Sequence, residues 1–244
     1  KNKVTLNNVP FVKDIFTMKD LLVSLGANVK YSEVHKKMTI INKQNHKLVV
    51  PYNLVSTMRA GVLTMGPLLS RYPHKEIKVA LGGGCALGVR DTNWHLAGFK
   101  SLGAKNNLHK GYVNISSQKG LNGNNYKFPK VTVTGTSNLI MASIFAKGTH
   151  FIKNISIEPE VIDLINFLNN SGAKIKFLGK RSIKITGIKE LINGSHTIIG
   201  DRIEAFSYLC VGAITNGKIK INNINPNHLR SEIMTLKKIG YKID

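Results

Sequence analysis

Ser101-Leu102-Gly103-Ala104 is the stretch that decides how the chain is read, because it returns. Its copies are Ser24-Leu25-Gly26-Ala27, Ser171-Gly172-Ala173 and Ile239-Gly240-Tyr241, at intervals of about 70 residues. In each copy the glycine follows a helix-like run and precedes an extended one, which is the place of a left-handed residue closing a helix. The runs leading in keep apolar residues on one face: Ile15, Met18, Leu22 and Leu25 in the first, and Val161, Ile165 and Leu168 in the third. A second token is a strand running into asparagine. It reads Val4-Thr5-Leu6-Asn7-Asn8, Phe151-Ile152-Lys153-Asn154 and Ile219-Lys220-Ile221-Asn222-Asn223.

A further helix is expected to open each later unit, over residues 52–70, 136–147 and 201–216. Hairpins should pair 28–32 with 38–42 and 174–178 with 182–186. Mixed units at this period predict an α/β domain, with α+β character, of about three units followed by the start of a fourth. The fourth unit stops at the strand after Gly240, and the first opens on its strand with no helix before it. Unpaired edges are a liability, so the expectation is a chain cut at both ends.

In the second unit the asparagine position is taken by Ala80-Leu81-Gly82-Gly83-Gly84-Cys85-Ala86-Leu87-Gly88-Val89-Arg90. Ile77, Val79 and Leu81 alternate as a strand before it. Residues 91–102 read as a helix after it, with Trp94, Ala97 and Leu102 on one side. Glycines let several backbone N–H groups point at one spot, and a helix N-terminus with an arginine adds positive potential. Such a loop suits an anion and would favour a thiolate at Cys85. A plain strand-to-helix turn with a small buried cysteine is the alternative. The loop is an elaboration that the other units lack, which favours function over packing.

The chain of 244 residues carries a net charge of +22, which would attract nucleic acid, anionic membranes or phosphorylated metabolites. The lysines are scattered among Asn and Ile, however, with no basic helix, RGG tract or aromatic series, so dedicated nucleic-acid binding is not favoured. No apolar run is long enough to cross a membrane, and the basic N-terminus lacks the apolar core of a signal peptide. Two distant cysteines indicate neither a disulfide framework nor a zinc site, and a reducing cytoplasm is expected.

Tyr52-Asn53-Leu54-Val55-Ser56-Thr57-Met58-Arg59-Ala60, Gly83 to Arg90 with His95, and Lys130-Val131-Thr132-Val133 form a specific combination. Glu158-Pro159-Glu160 and Gly200-Asp201-Arg202-Ile203-Glu204 add to it. On these residues the chain resembles the enolpyruvyl transferases over its whole length, and among them the bacterial branch that acts on UDP-N-acetylglucosamine. The resemblance implies an inside-out α/β barrel of βαβαββ units, helices inside and sheets outside, in two domains. Residues 1–199 would form the first and 200–244 begin the second.

It implies a reaction without cofactor or metal. Phosphoenolpyruvate gives its enolpyruvyl group to the 3-hydroxyl of UDP-N-acetylglucosamine, releasing phosphate. Cys85 matches the family cysteine that protonates the alkene, can form an adduct with phosphoenolpyruvate and is attacked by fosfomycin. Arg59 and Arg90 match residues of the anionic substrate site, where guanidinium forks suit phosphate and carboxylate. Asp91, Thr92, Asn93 and Trp94 follow along the segment that touches the nucleotide. Lys130, Val131, Thr132 and Val133 match a strand segment that meets the diphosphate and uracil.

Asp91 stands where the family usually has Pro, Asn93 where it has Asp, and Gly82 where Pro is common. The family's Lys-Asn pair, its base Asp and further clamp arginines have no counterpart in this chain. Three other readings stay open: the shikimate branch, which lacks the Cys loop, an RNA-binding protein related to RNA 3′-phosphate cyclases, and a remnant that folds but catalyses nothing.

Some candidates carry a second, structural reading. His95 either neighbours the phosphate site or is a helix-surface residue. Asp201 with Glu204 reads as a capping box, and Asp201 and Arg202 are also carried as site candidates. Cys210 reads as buried core, Trp94 as packing under the loop, and Lys75 and Lys78 as a solvated face.

Overall fold

A computed structural model describes residues 3–42, 47–80 and 92–243. The chain opens with β1 (Lys3–Asn7), α1 (Lys13–Ser24), β2 (Asn28–Ser32) and β3 (Lys37–Ile41). The second stretch holds β4 (Val49–Val50), α2 (Tyr52–Val55), a 3-10 turn (Arg59–Thr64), α3 (Met65–Arg71), β5 (Ile77–Ala80), α4 (Asn93–Ser101), β6 (Lys105–His109) and β7 (Tyr112–Ser116). The third holds β8 (Asn125–Lys127), α5 (Val133–Ser143), β9 (Thr149–Lys153), α6 (Pro159–Asn170), β10 (Lys174–Gly179) and β11 (Ser182–Thr186). Then come β12 (Gly194–Thr197), α7 (Arg202–Ile214), a 3-10 turn (Pro226–Leu229) and α8 (Arg230–Lys238).

The strands form three four-stranded sheets in the orders β12-β1-β3-β2, β4-β5-β7-β6 and β8-β9-β11-β10. All three are built alike. The first strand is parallel to the second, and the remaining pairs are antiparallel. Each sheet turns one face to the core, as the alternation requires. Ile77 and Val79 are buried while Lys78 is exposed, and Ile183 and Ile185 are buried on either side of Lys184.

The sheets enclose the helices, and α5 is buried along nearly its whole length. Two of its hydroxyls are satisfied inside the helix: Ser137 Oγ donates to the Val133 carbonyl and Ser143 Oγ to that of Leu139. Glycines on both flanking helices let α5 come close. A Cβ at Gly66 in α3 would collide with the carbonyl oxygen of Asn138, and one at Gly98 in α4 would lie 3.1 Å from Leu139 Cδ2.

The helix-closing glycines behave alike in all four units. Gly26, Gly103, Gly172 and Gly240 take φ of 103°, 91°, 97° and 106°. The asparagines of the second token also share a left-handed conformation, with φ of 59°, 57° and 59° at Asn8, Asn154 and Asn223.

Several expectations are corrected. The helix over 52–70 is broken, because Met58 is extended (φ −141°, ψ 121°) and the chain turns back to bring Gly61 against Val55. The helix expected over 136–147 begins at Val133, since Thr132 caps it by accepting the Gly135 N–H. On α4 the inward face carries His95, Gly98 and Phe99 and leaves Ala97 exposed, because Gly98 is the point of contact with α5. Residues 219–222 join no ladder among the described residues, and neither do 241–243. Cys210 is half-buried, on a helix whose Ile203, Tyr208, Val211 and Ile214 are exposed.

Candidate functional site

Three elements converge beside the N-terminus of α5. His95, in the first turn of α4, is buried rather than on the helix surface. Its Nδ1 lies 2.9 Å from Asn138 Nδ2, and its Nε2 lies 3.3 Å from Thr134 Oγ1. Asn138 also donates to the Val62 carbonyl at 2.9 Å and accepts from the Gly66 N–H at 2.7 Å. One amide therefore ties α4, α5 and the segment opened by Arg59 into a single cluster. Arg59 heads that 3-10 turn.

Lys130 is exposed in the bend that enters α5, followed by Val131 and by the capping Thr132. Residues 130–132 are not a strand, and Val133 is already helical. That corrects the expected strand segment, and the reason is the Thr132 cap. The change brings the α5 N-terminus into the site, where free N–H groups and the helix dipole favour an anion and Lys130 adds a full charge. Thr92 precedes α4, Asn93 is exposed at its first position, and Trp94 is half-buried against the core. Cys85, Arg90 and Asp91 lie outside the described residues.

Asp201 and Arg202 make structural contacts. Asp201 accepts from the N–H groups of Ile203 at 2.8 Å and Glu204 at 3.2 Å, capping α7. Arg202 meets both carboxylate oxygens of Glu160 at 3.2 Å and lies 3.6 Å from Glu232, joining α6, α7 and α8. The hydrogen bond to Glu160 holds its guanidinium even more firmly protonated, against the cost of burial.

An apolar cavity of about 510 Å³ lies between α1, α3, α5 and α6, with Met18, Leu22, Leu68, Met141 and Leu164 among its lining. The lining is mostly apolar, and it reaches Val133 and Thr134 in the first turn of α5 and Arg71 at the end of α3. Among the described residues no group of His, Cys, Asp and Glu could hold a metal ion, and no helix is long and apolar enough to cross a membrane.

Sequence reasoning overlooked Asn138 and Thr134. The signal was faint, because Asn138 follows the polar residues Thr136 and Ser137 and only heads the apolar run Leu139-Ile140-Met141-Ala142, so nothing local marks it as buried.

Fold and site together define an α/β protein of repeated units with an anion-suited cluster at its inner helix ends. Comparison with known proteins narrows this. A family model described as EPSP synthase (3-phosphoshikimate 1-carboxyvinyltransferase) matches residues 1–244. The chain belongs to that family. It is 45% identical over 241 residues to the UDP-N-acetylglucosamine 1-carboxyvinyltransferase of Pelagibacter ubique (strain HTCC1062), covering 99% of this chain and 57% of the relative. The protein of the same name from Helicobacter acinonychis (strain Sheeba) is 42% identical over 246 residues, covering 100% and 58%. The chain thus spans somewhat over half the length of the curated relatives it matches.

Among solved structures, the enolpyruvyl transferase NikO from Streptomyces tendae superposes with a TM-score of 0.82 at 17% identity, over 100% of this chain and 58% of that one. EPSP synthase from Acinetobacter baumannii gives 0.73 at 16%, over 98% and 54%. At these identities the two share the fold, and the expected class of inward helices and outward mixed sheets is the observed one.

Proposed function

We propose that the chain carries one wall of an active site that transfers the enolpyruvyl group of phosphoenolpyruvate to the 3-hydroxyl of UDP-N-acetylglucosamine. The observation that carries this reading is the 45% identity, across nearly the whole chain, to a protein of that name. In the reaction the alkene CH2 carbon takes a proton, and the sugar hydroxyl adds to the neighbouring carbon while giving up its own proton to a base. Loss of a proton from the new methyl group together with phosphate then leaves the enol ether.

Cys85 would supply and recover the alkene proton, and Arg59 and Arg90 would hold phosphate and carboxylate. Lys130 through Val133, with the segment Asp91 to Trp94, would receive the nucleotide diphosphate. Residues 1–199 would form one domain and 200–244 the beginning of a second, with the work done in a bacterial cytoplasm.

The purified chain should bind UDP-N-acetylglucosamine weakly, and Lys130→Ala should weaken binding further. Any enolpyruvyl transfer should depend on Cys85, since loss of a positioned proton donor costs about 10²–10⁴ in rate. Titration calorimetry and a phosphate-release assay with a Cys85→Ala control check both points. Absence of any UDP-sugar binding, with tight and salt-sensitive binding to RNA instead, would sink the reading.

A further inference from the structure

Asn138 is a fully buried amide in the middle of α5, and the backbone fixes both of its ends. Its Oδ1 faces the N–H of Gly66 and its Nδ2 faces the carbonyl of Val62. A backbone N–H only donates and a carbonyl only accepts, so the orientation of the amide is determined. The second amide proton then points at His95 Nδ1, 2.9 Å away, which has to be the acceptor. The proton of the neutral ring therefore sits on Nε2, facing Thr134 Oγ1 at 3.3 Å. Thr134 accepts from His95, which leaves its own hydroxyl proton to be donated onward. Thr134 lies in the first turn of α5, two residues from the Thr132 cap and four from Lys130.

We infer that Asn138 is a positioning residue. It sets the tautomer of His95 and so orients a hydrogen-bond chain, Asn138 to His95 to Thr134, that ends in a hydroxyl donor for an anionic substrate. The donor role of Thr134 rests on the proposed reading that this helix end meets a diphosphate. The tautomer of His95 depends on no ligand. A chain of bonds pointing one way polarises each of its members, and a hydrogen bond to a charged group is worth more than a neutral one. Gly66 permits the arrangement, because any side chain there would push Asn138 aside.

The test has two arms on the purified chain, with UDP as the probe. In the first, nitrogen NMR of isotope-labelled histidine at about pH 8, above the ordinary histidine range, reads which ring nitrogen of His95 is protonated. Nε2 is expected in the wild type. Asn138→Asp presents only acceptors, so it should move the ring proton to Nδ1. A bare Nε2 in the wild type overturns the inference.

In the second arm, Thr134→Val should weaken UDP binding about tenfold or more with the His95 tautomer unchanged, and Thr134→Ser should restore it. In the Asn138→Asp background, Thr134→Val should cost nothing further, because the chain is already reversed; this separates the relay from simple charge repulsion. Wild-type affinity in Thr134→Val overturns the donor role even if Asn138→Asp fails to fold. Absence of UDP binding by the wild type overturns the proposed function and the donor role together. The spectrum then decides the positioning role of Asn138 by itself.

Discussion

Gly172 and Gly240 both close a helix with φ near +100°, and Asn154 and Asn223 both end an extended run with φ near +60°. The run before Asn154 is β9, paired on both sides in a four-stranded sheet, whereas the run before Asn223 joins no ladder among the described residues. Residues 3–199 and 200–243 thus carry the same signals, and among the described residues the signals yield helices and turns in both but sheets only in the first. A helix and its caps find their hydrogen bonds within one segment, while a strand needs a neighbour. Burial follows the same division. Ile152 and Ile183 are buried in the first region, and Ile203, Ile214 and Ile239 are exposed in the second.

The sharpest way to break this comparison is to place the same substitution in both regions. Gly66→Ala forces a methyl group into the Asn138 backbone and disturbs a buried amide, so it should cost about 4 kcal/mol or prevent folding. Gly240→Ala meets nothing within 4 Å and bears only the strain of its positive φ, about 1 kcal/mol. Denaturant unfolding of the two variants checks the difference, and equal costs would mean that the first region is no better packed than the second.

Next in size is a pair of isoleucines. Ile183→Ala empties a fully buried site and should cost about 3 kcal/mol, while Ile219→Ala, 42% exposed, should cost less than about 1 kcal/mol. Amide exchange should agree, with β9 and β11 protected and 219–222 exchanging quickly.

Acid should discriminate as well. His150, on β9, is buried, and burial pushes its pKa below the ordinary value, partly offset by the Ala146 carbonyl 3.4 Å from Nε2. The unfolded chain then binds the proton more readily. The contribution of neutral His150 is complete above about pH 6.5 and is lost as the pH falls from there through the lower folded-state value. His150→Gln should flatten the acid limb of the unfolding curve; an unchanged limb would assign acid sensitivity to other groups.

The smallest effect concerns the link between the regions. Arg202 bridges to Glu160 and Glu232 at a partly exposed site, so a double-mutant cycle of Arg202→Ala with Glu160→Gln should give about 0.5–1 kcal/mol, declining with salt. A coupling of zero would leave the orientation of α7 and α8 to packing alone.

Much of what is local was legible in the sequence: the four helix-closing glycines, the Asp201 cap, the apolar alternation of β5 and the hairpin of β10 with β11, although the equally local Thr132 cap was missed. Each depends on residues within a few positions of one another, so a short window contains the whole cause. The tertiary structure alone decided what depends on distant partners. Gly194-Ser195-His196-Thr197 has no apolar alternation, yet it is a strand because the exposed edge of β1 pairs with it. Residues 52–70 are helical by pattern but break at Met58, where the chain folds back to pack Gly61 on Val55. His95 could be read from the sequence as a surface residue or as a neighbour of the phosphate site; it is buried, because Asn138, 43 positions away, supplies a partner that offsets the cost of burying an imidazole. A polar group can leave water only where another chain segment replaces the hydrogen bonds it loses, and no short stretch of sequence records where that segment will be.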